Sequence, residues 1–206
     1  MARLKVKICG VTRLDDALAA VRLGADALGF NFWPRSKRYI PPAEARAIIR
    51  RLPPLVTAVG VFVDPSRDEV LRAVDVAGVV MAQLHGDEAP DFCASLPLPV
   101  LKAIRVAGVH SLAALASYEV RGFVLDTPSA GYGGSGKTFE WSLVAEVARE
   151  MPVVLAGGLG PENVAAAVRT VRPWAVDVAS GVESAPGVKD EEKMRMFIDA
   201  AHGAQP

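Results

Sequence analysis

A short apolar stretch rich in valine, isoleucine and leucine occurs eight times in this chain, and a segment with helical spacing follows each one. Strands separated by helices cannot pair as tight hairpins, so we expect them to lie parallel with right-handed crossovers. Eight such units are enough to close a barrel. The sequence therefore predicts an α/β fold, a (β/α)8 TIM barrel that forms a single domain over residues 1–206, with strands at residues 4–9, 27–32, 57–63, 79–84, 100–104, 122–126, 153–156 and 175–179.

Residues that start and stop helices lie between these stretches. Thr12 is placed to cap the first helix and Gly24 to stop it, and Pro41-Pro42 opens the second helix. The last helix is predicted over residues 191–201. Residues 202–206 are predicted to form a frayed tail.

The composition limits the classes of partner. The chain has 23 basic and 23 acidic residues, and a formal net charge of zero gives no reason to expect a nucleic-acid partner. No apolar run is long enough to cross a bilayer, and the charges within the first apolar run argue against a signal peptide. The two cysteines, Cys9 and Cys93, are expected to be free thiols in the cytoplasm.

Chemistry in a TIM barrel collects at the carboxyl ends of the strands, which makes Cys9, at the end of the first strand, a candidate. Cys9 shares a strand face with Lys5 and Lys7, while the other face is apolar and is expected to pack on the helices. A buried cysteine is most often a small hydrophobe, but a thiol near cations can act as a base. By the same alternation Asp177 points inward, so we predict a buried ion pair between Lys7 and Asp177.

Asp126 ends the apolar sixth strand. A carboxyl group shielded from water tends to keep its proton, which suits a general acid, although an aspartate there is also a common turn or helix cap. Cys9 and Asp126 are therefore a candidate base and acid on opposite parts of the barrel rim.

Glycines follow the last two strands, as Gly157-Gly158 after strand seven and Ser180-Gly181 after strand eight. Phosphate sites in this fold recur after these two strands, where main-chain amides meet the start of a short helix. Glycine after a strand is also typical of an ordinary tight turn. Because both pairs occur at the expected strands, the pattern favours phosphate binding.

Two other polar residues near strand ends have more than one interpretation. Arg38, in a basic loop after strand two, is either solvated or holds a substrate carboxylate by two parallel hydrogen bonds. His85, after strand four, either lines the site or is a rim residue whose side chain is hydrogen-bonded within the protein. No set of His, Cys, Asp and Glu has metal-ligand spacing and no dinucleotide motif occurs, so we expect no metal and no cofactor.

Residues 131–138 match the Walker A pattern of P-loop triphosphatases. A phosphate cradle needs strand, loop and helix in direct succession, whereas several residues follow Asp126 before the first glycine and the helical pattern resumes only near Trp141. We interpret the match as accidental. The segment is either a glycine-rich cover over the barrel mouth, with Lys137 near the substrate, or a surface loop.

The strand-end sequences, taken in order, resemble those of the phosphoribosylanthranilate isomerases, tryptophan-pathway enzymes that catalyse an Amadori rearrangement. The resemblance covers essentially the full chain. It is carried by Lys7-Ile8-Cys9-Gly10 with Thr12, Gly29-Phe30-Asn31-Phe32, Ser36-Lys37-Arg38-Tyr39-Ile40, Gln83-Leu84-His85-Gly86, Leu125-Asp126-Thr127, residues 133–139, Gly157-Gly158-Leu159 and residues 177–183.

The resemblance implies that Asp126 is the general acid, that Cys9 is the general base and that Arg38 holds the anthranilate carboxylate. The glycine-rich segments after strands seven and eight would hold the phosphate. The implied substrate is a small phosphorylated aminosugar, N-(5-phosphoribosyl)anthranilate, with no cofactor. Ala179 stands where a second serine is expected, which removes one hydroxyl from the phosphate contacts. The sequence leaves open whether the protein is a monomer or a homodimer.

Three other functions are compatible with the sequence. The nearest is a bifunctional aminoaldose isomerase of the histidine and tryptophan pathways, which is expected to have an aspartate in place of Cys9 and a twofold repeat of half-barrels. Neither feature is visible here. The others are a barrel that binds a phosphorylated ligand without turnover, and a P-loop triphosphatase.

Overall fold

The computed structural model describes residues 3–126 and 141–204. Eight parallel strands close into a barrel in chain order, and the last strand pairs with the first, which confirms the predicted fold class. Every strand overlaps the stretch predicted for it. The strands are β1 (Lys5–Cys9), β2 (Ala27–Asn31), β3 (Thr57–Phe62), β4 (Met81–Leu84), β5 (Val100–Arg105), β6 (Gly122–Asp126), β7 (Val153–Leu155) and β8 (Ala175–Val178).

Helices alternate with the strands. A 3-10 helix over Val109–Ser117 connects β5 to β6, and a short one over Ser180–Val182 follows β8. None of the described helices is long and apolar enough to span a membrane. The α-helices are α1 (Leu14–Leu23), α2 (Pro42–Ile49), α3 (Arg67–Ala77), α4 (Pro90–Ala94), α5 (Ser142–Ala145), α6 (Val147–Glu150), α7 (Val164–Val171) and α8 (Glu191–Gly203).

Local sequence explains several helix ends. Gly24 ends α1 with φ 108°, a left-handed conformation that glycine adopts readily. Ser66 caps α3 and exchanges hydrogen bonds with Glu69 in a capping box. The prediction that Thr12 caps α1 is wrong, because its hydroxyl instead donates to the carbonyl oxygen of Gly187, 2.6 Å away. The amino end of α1 has no side-chain cap.

The last helix is longer than predicted. Because α8 continues to Gly203 and Ala204 is buried, the frayed tail is wrong for residues 202–204. Phe197, Ile198 and Ala201 bury one face of α8 in the main core, and this packing stabilises its final turn. Residues 205–206 lie outside the described residues.

A hairpin that we did not predict follows β8. Its strands, β9 (Glu183–Ala185) and β10 (Val188–Lys189), pair antiparallel, and Gly187 has φ 81° at the turn. The dipeptide Pro186-Gly187 is a turn signal that favours such a hairpin. The hairpin brings Lys189 to the carboxyl end of β1, where its Nζ donates to the carbonyl oxygen of Cys9.

Alternation along the strands divides the buried side chains into two sets. The larger apolar set lies between strands and helices, and a smaller one fills the lumen with residues such as Leu101, Val124 and Val154. On β1 and β8 two charged residues, Lys7 and Asp177, also lie on the lumen face. The barrel interior is therefore asymmetric, with charge concentrated below one part of its mouth.

Candidate active site

Most of the residues singled out from the sequence converge on one cavity at the carboxyl ends of the strands. They come from β1, from β6 and from the loops after β2, β4, β7 and β8. Parallel strands in a closed barrel bring these ends together although they are far apart in sequence. The predicted residues that line the cavity are Cys9, Arg38, His85, Asp126, Gly157, Gly158 and Ser180.

A buried ion pair lies below Cys9. Lys7 Nζ is 2.9 Å from Asp177 Oδ1, and the two side chains are 4% and 8% exposed. The register between β1 and β8 sets the two residues opposite each other. This confirms the predicted pair. Either charge alone in the lumen would have to lose its hydration without compensation.

The thiol of Cys9 is buried beside this pair. A Cβ built on Gly29 of β2 would lie 2.8 Å from Cys9 Sγ and 3.2 Å from Lys7 Nζ, so the missing side chain makes room for both groups. Burial raises the pKa of the Cys9 thiol, the charge of Lys7 opposes that rise, and the carboxylate of Asp177 adds to it. The Cys9 thiol therefore has a cation beside it that favours its thiolate, against the effect of burial.

A second buried cation was missed by the sequence analysis. Lys189 Nζ donates to the carbonyl oxygens of Cys9 and Ala179, at 2.6 and 3.1 Å, and lies 2.9 Å from Glu183 Oε1. These bonds tie the ends of β1 and β8 to the hairpin of β9 and β10. The turn signal at Pro186-Gly187 is the feature that indicates this placement, because it folds Lys189 back beside Glu183.

Arg38 is held in place by Glu183. Its Nε and Nη2 donate to Glu183 Oε1 and Oε2 at 2.7 and 2.6 Å, in a parallel two-bond geometry. Burial opposes ionisation of Glu183, but these bonds and the charge of Lys189 outweigh it and lower the pKa of the carboxyl group. Gly10 makes room for the arginine, since a Cβ there would lie 2.3 Å from Arg38 Cδ. Arg38 is thus a fixed cation in the cavity wall rather than a solvated loop residue.

On the other side of the mouth, Asp126 belongs to a chain of hydrogen bonds. His85 Nε2 lies 3.0 Å from Asp126 Oδ2, and His85 Nδ1 accepts from Gln83 Nε2 at 2.9 Å. All three side chains are buried. His85 therefore lines the cavity and also has a protein partner on each ring nitrogen, which combines the two roles that the sequence left open. Gln83 was missed, although its position two residues before His85 places both on one strand face.

Main-chain atoms line a third part of the cavity. Gly157 and Gly158 have φ 84° and 64°, and a glycine can line a cavity only with its backbone. Asn163 fixes this loop, because its side-chain nitrogen donates to Gly158 O and its oxygen accepts from Gly160 N, both at 2.9 Å. The loop after β7 is therefore held in a conformation that brings main chain to the cavity.

The segment after β8 completes this part of the site. Ser180 lines the cavity and opens the short 3-10 helix. Gly181 is not part of the described lining. A Cβ on Gly181 would lie 2.0 Å from the carbonyl oxygen of Leu159, so this glycine lets the loops after β7 and β8 touch.

The cavity thus combines a buried thiol, a buried carboxyl group, an arginine and exposed main chain, a set suited to proton transfer on an anionic ligand. Lys137 and the glycine-rich residues 131–138 lie outside the described residues.

In sequence comparison, a family model described as N-(5'phosphoribosyl)anthranilate (PRA) isomerase matches residues 6–200. The chain belongs to this isomerase family. A curated N-(5'-phosphoribosyl)anthranilate isomerase of Myxococcus xanthus is 51% identical over 203 residues, which cover 96% of each chain.

Solved structures of phosphoribosylanthranilate isomerases have the same barrel. The one from Thermotoga maritima matches with a TM-score of 0.92 and 46% identity, over 97% of this chain and 99% of that one. A second structure of a phosphoribosylanthranilate isomerase matches with a TM-score of 0.88 and 43% identity over the same shares of the two chains. It is a complex with reduced 1-(o-carboxyphenylamino)-1-deoxyribulose 5-phosphate. The resemblance read from the strand ends is confirmed at the level of the family.

Proposed function

We propose that this protein converts N-(5'-phosphoribosyl)anthranilate into 1-(2-carboxyphenylamino)-1-deoxyribulose 5-phosphate by an Amadori rearrangement. Membership of the isomerase family supports the assignment. The observation that carries it is that Cys9 and Asp126 line one cavity from different strands of the barrel. The reaction adds a proton to the ribose ring oxygen and removes one from C2, so it needs an acid and a base around one sugar.

Asp126 acts first, as the general acid. Its carboxyl group donates a proton to the ring oxygen, the bond from C1 to that oxygen breaks, and the nitrogen lone pair forms the C=N bond of a Schiff base. Asp126 is left as a carboxylate. The contact of 3.0 Å from His85 Nε2 supports this state, since an N–H donor stabilises a carboxylate.

Cys9 acts second, as the general base. Its thiolate removes the proton from C2, and the released electron pair forms the C1=C2 bond of an enol while the C=N bond becomes a single bond. Addition of a proton to C1 and loss of one from the C2 hydroxyl give the aminoketone, with no net change in protons. Lys7 and Lys189 offset the charge of the thiolate. Acid and base each contribute roughly 100- to 10,000-fold, and positioning supplies the rest.

Two anchors hold the substrate between these groups. Arg38, fixed by Glu183, binds the anthranilate carboxylate. Main chain at Gly157 and Gly158, with Ser180, binds the phosphate. Gly181 serves this site by letting the two loops pack together rather than by lining it.

The test is the loss of phosphoribosylanthranilate fluorescence on adding purified protein. We expect turnover without added metal or nucleotide. A bifunctional isomerase would also convert the histidine-pathway aminoaldose, and a binding barrel would bind the reduced product analogue without turnover. A triphosphatase would be stabilised against heat by nucleotide. Unchanged fluorescence at high protein concentration contradicts the proposal.

We also propose that the protein forms a homodimer through the amino ends of its strands. A T. maritima relative is described as a dimeric enzyme. In this chain Leu55 is fully exposed with φ 72°, Trp174 is 53% exposed, and both line an apolar depression with Met81 and Val154. Exposed apolar groups that cluster in this way indicate a protein contact. Light scattering should give a dimer mass for the parent and a monomer mass for Leu55→Asp; a monomeric parent would rule the dimer out.

A cytoplasmic location is part of the same proposal. Cys9 and Cys93 are both buried free thiols. Unpaired cysteines are typical of a reducing compartment, which supports this location. Fractionation of cells that produce the protein tests it, and recovery from an exported fraction would contradict it.

A further inference from the structure

Gln83 is a buried amide with no part in the reaction proposed above. It lies on β4, on the same strand face as His85, and is 1% exposed. Its Nε2 donates to His85 Nδ1 over 2.9 Å. Its Oε1 is buried without a hydrogen-bond partner in the described part of the chain. An unpaired buried acceptor is destabilising, so a glutamine at this position indicates a role other than packing.

The orientation of the Gln83 amide determines where His85 carries its proton. In the orientation shown the amide nitrogen faces His85 Nδ1; an amide nitrogen only donates, so Nδ1 accepts and the hydrogen of a neutral ring is on Nε2. His85 Nε2 then donates to Asp126 Oδ2, 3.0 Å away. This arrangement matches an ionised Asp126, because a carboxylate only accepts hydrogen bonds.

The arrangement differs when one more proton lies between His85 and Asp126. Either Asp126 Oδ2 carries that proton and donates to His85 Nε2, or the ring carries a hydrogen on each nitrogen; a proton on Asp126 Oδ1 leaves the bonds of His85 as they are. In the first two cases Nδ1 carries a hydrogen, and it then faces the amide nitrogen of Gln83, which is a second donor. A half-turn of the Gln83 amide replaces this donor with the acceptor Oε1.

The surroundings of Gln83 leave this half-turn open. The oxygen and nitrogen ends of an amide are so alike in size and shape that the turn leaves the packing unchanged. In the observed orientation Oε1 has no partner among the described residues, so the turn breaks no bond at that end. The bond to His85 Nδ1 alone therefore decides which end of the amide faces the ring.

We propose that Gln83 is a positioning residue for the acid step, whose amide turns as the pair of His85 and Asp126 gains and loses a proton. Gln83 then offers a donor when His85 Nδ1 lacks a hydrogen and an acceptor when Nδ1 carries one. The inference rests on the proposed role of Asp126 as general acid. Without a matched partner, one protonation state of the pair is destabilised and proton transfer to the sugar slows.

Two variants of residue 83 can no longer offer His85 Nδ1 both a hydrogen-bond donor and a hydrogen-bond acceptor. Gln83→Glu offers His85 only an acceptor, and Gln83→Met offers neither donor nor acceptor at a similar volume. We expect each to lower kcat about tenfold, as expected for one lost hydrogen bond, while the Kd of the reduced product analogue stays within about twofold. Parental kcat in both variants overturns the inference. So does a Kd that weakens in step with the loss of kcat, because that indicates a structural role only.

The proton position on His85 gives a second readout. Nitrogen-15 chemical shifts distinguish a protonated ring nitrogen from an unprotonated one, and the chain has only three histidines, so a His85→Gln sample assigns the signals. In the parent, the ring in the arrangement shown should carry its hydrogen on Nε2 and none on Nδ1. In Gln83→Glu, where residue 83 offers only an acceptor, the hydrogen should be on Nδ1. Identical behaviour of Nδ1 in the two proteins overturns the inference.

Asp126→Asn separates this inference from the proposed function. If Asp126→Asn loses turnover while the Gln83 variants keep parental kcat, only the role of Gln83 is refuted. If Asp126→Asn keeps its turnover, the proposed acid is refuted, and the role of Gln83 in the acid step with it.

Discussion

The two sides of the barrel mouth are built from different interactions. On the side of β1 and β8, Cys9 lies among buried charges, with Lys7 and Asp177 paired below it and Lys189 bonded to its carbonyl oxygen. On the side of β4 and β6, Asp126 has an imidazole as neighbour, and the imidazole in turn has an amide. A base that acts as an anion is favoured by nearby cations, whereas an acid that must hold its proton would lose it beside them. Separation across the barrel lets one cavity contain both environments.

The charged side should therefore be the more sensitive to substitution. Breaking a buried ion pair leaves a charge without hydration or partner, whereas breaking one hydrogen bond between uncharged groups has a smaller effect. The variants of Gln83 and Asp126 described above test the side of β4 and β6, and the following ones test the charged side, in order of decreasing expected effect.

The largest effect is expected for Cys9→Ser, which removes the proposed base but keeps the size of the side chain. Turnover should fall roughly 100- to 10,000-fold, the usual contribution of a general base. The Kd of the reduced product analogue should hardly change, because the proposed anchors at Arg38 and Gly157 are untouched. Single-turnover fluorescence and titration calorimetry measure the two quantities. Parental turnover in the variant would remove Cys9 from the mechanism.

The next effect is on stability. Lys7→Met leaves Asp177 buried without its partner, so the free energy of unfolding should fall by about 3–5 kcal/mol. The matched control is the double variant Lys7→Met with Asp177→Leu, which replaces both charges by apolar groups and should recover most of the loss. Urea unfolding measures both. A single variant as stable as the parent would show that the pair does not determine the stability of this side.

Arg38→Ala should weaken recognition of the anthranilate carboxylate. We expect KM to rise about tenfold or more, as for the loss of hydrogen bonds to a charged group, with a smaller change in kcat. The control is an analogue that lacks the carboxylate. It should bind parent and variant alike, and a comparable loss of affinity for both analogues would contradict the assignment.

The smallest effect is a shift in pH dependence. Because burial raises the pKa of Cys9 and the proposed base acts as a thiolate, kcat/KM should increase with pH through a midpoint above the ordinary thiol pKa. Asp177 adds to the rise in this pKa, so Asp177→Asn should move the midpoint to lower pH. Profiles of kcat/KM against pH measure both midpoints. A midpoint that moves upward in Asp177→Asn would contradict the electrostatic account of the base.

The sequence predicted those features that follow from local alternation. The eight strands, the inward faces of Lys7 and Asp177 and the position of Cys9 at the mouth all come from period-two patterns and strand ends. Lys189 was missed because its contact with Cys9 depends on a hairpin that brings together residues far apart in the chain. The same hairpin explains the error at Thr12, whose hydroxyl bonds to Gly187 instead of capping α1.

The acid side was predicted less completely for a different reason. Asp126 and His85 were both singled out at strand ends, but the sequence gives no sign of which atoms meet across β4 and β6. Hydrogen-bond partners, and therefore the proton position on His85, depend on side-chain directions that no period in the sequence encodes.

The most direct test is a crystal structure of this protein with the reduced product analogue bound. We expect Cys9 Sγ and C2 of the sugar to lie within about 3.5 Å of each other, with Asp126 on the side of the oxygen released by ring opening. The phosphate should contact main chain at Gly157 and Gly158, and the carboxylate should contact Arg38. A ligand whose C2 faces away from Cys9, or whose phosphate binds elsewhere, would contradict the account.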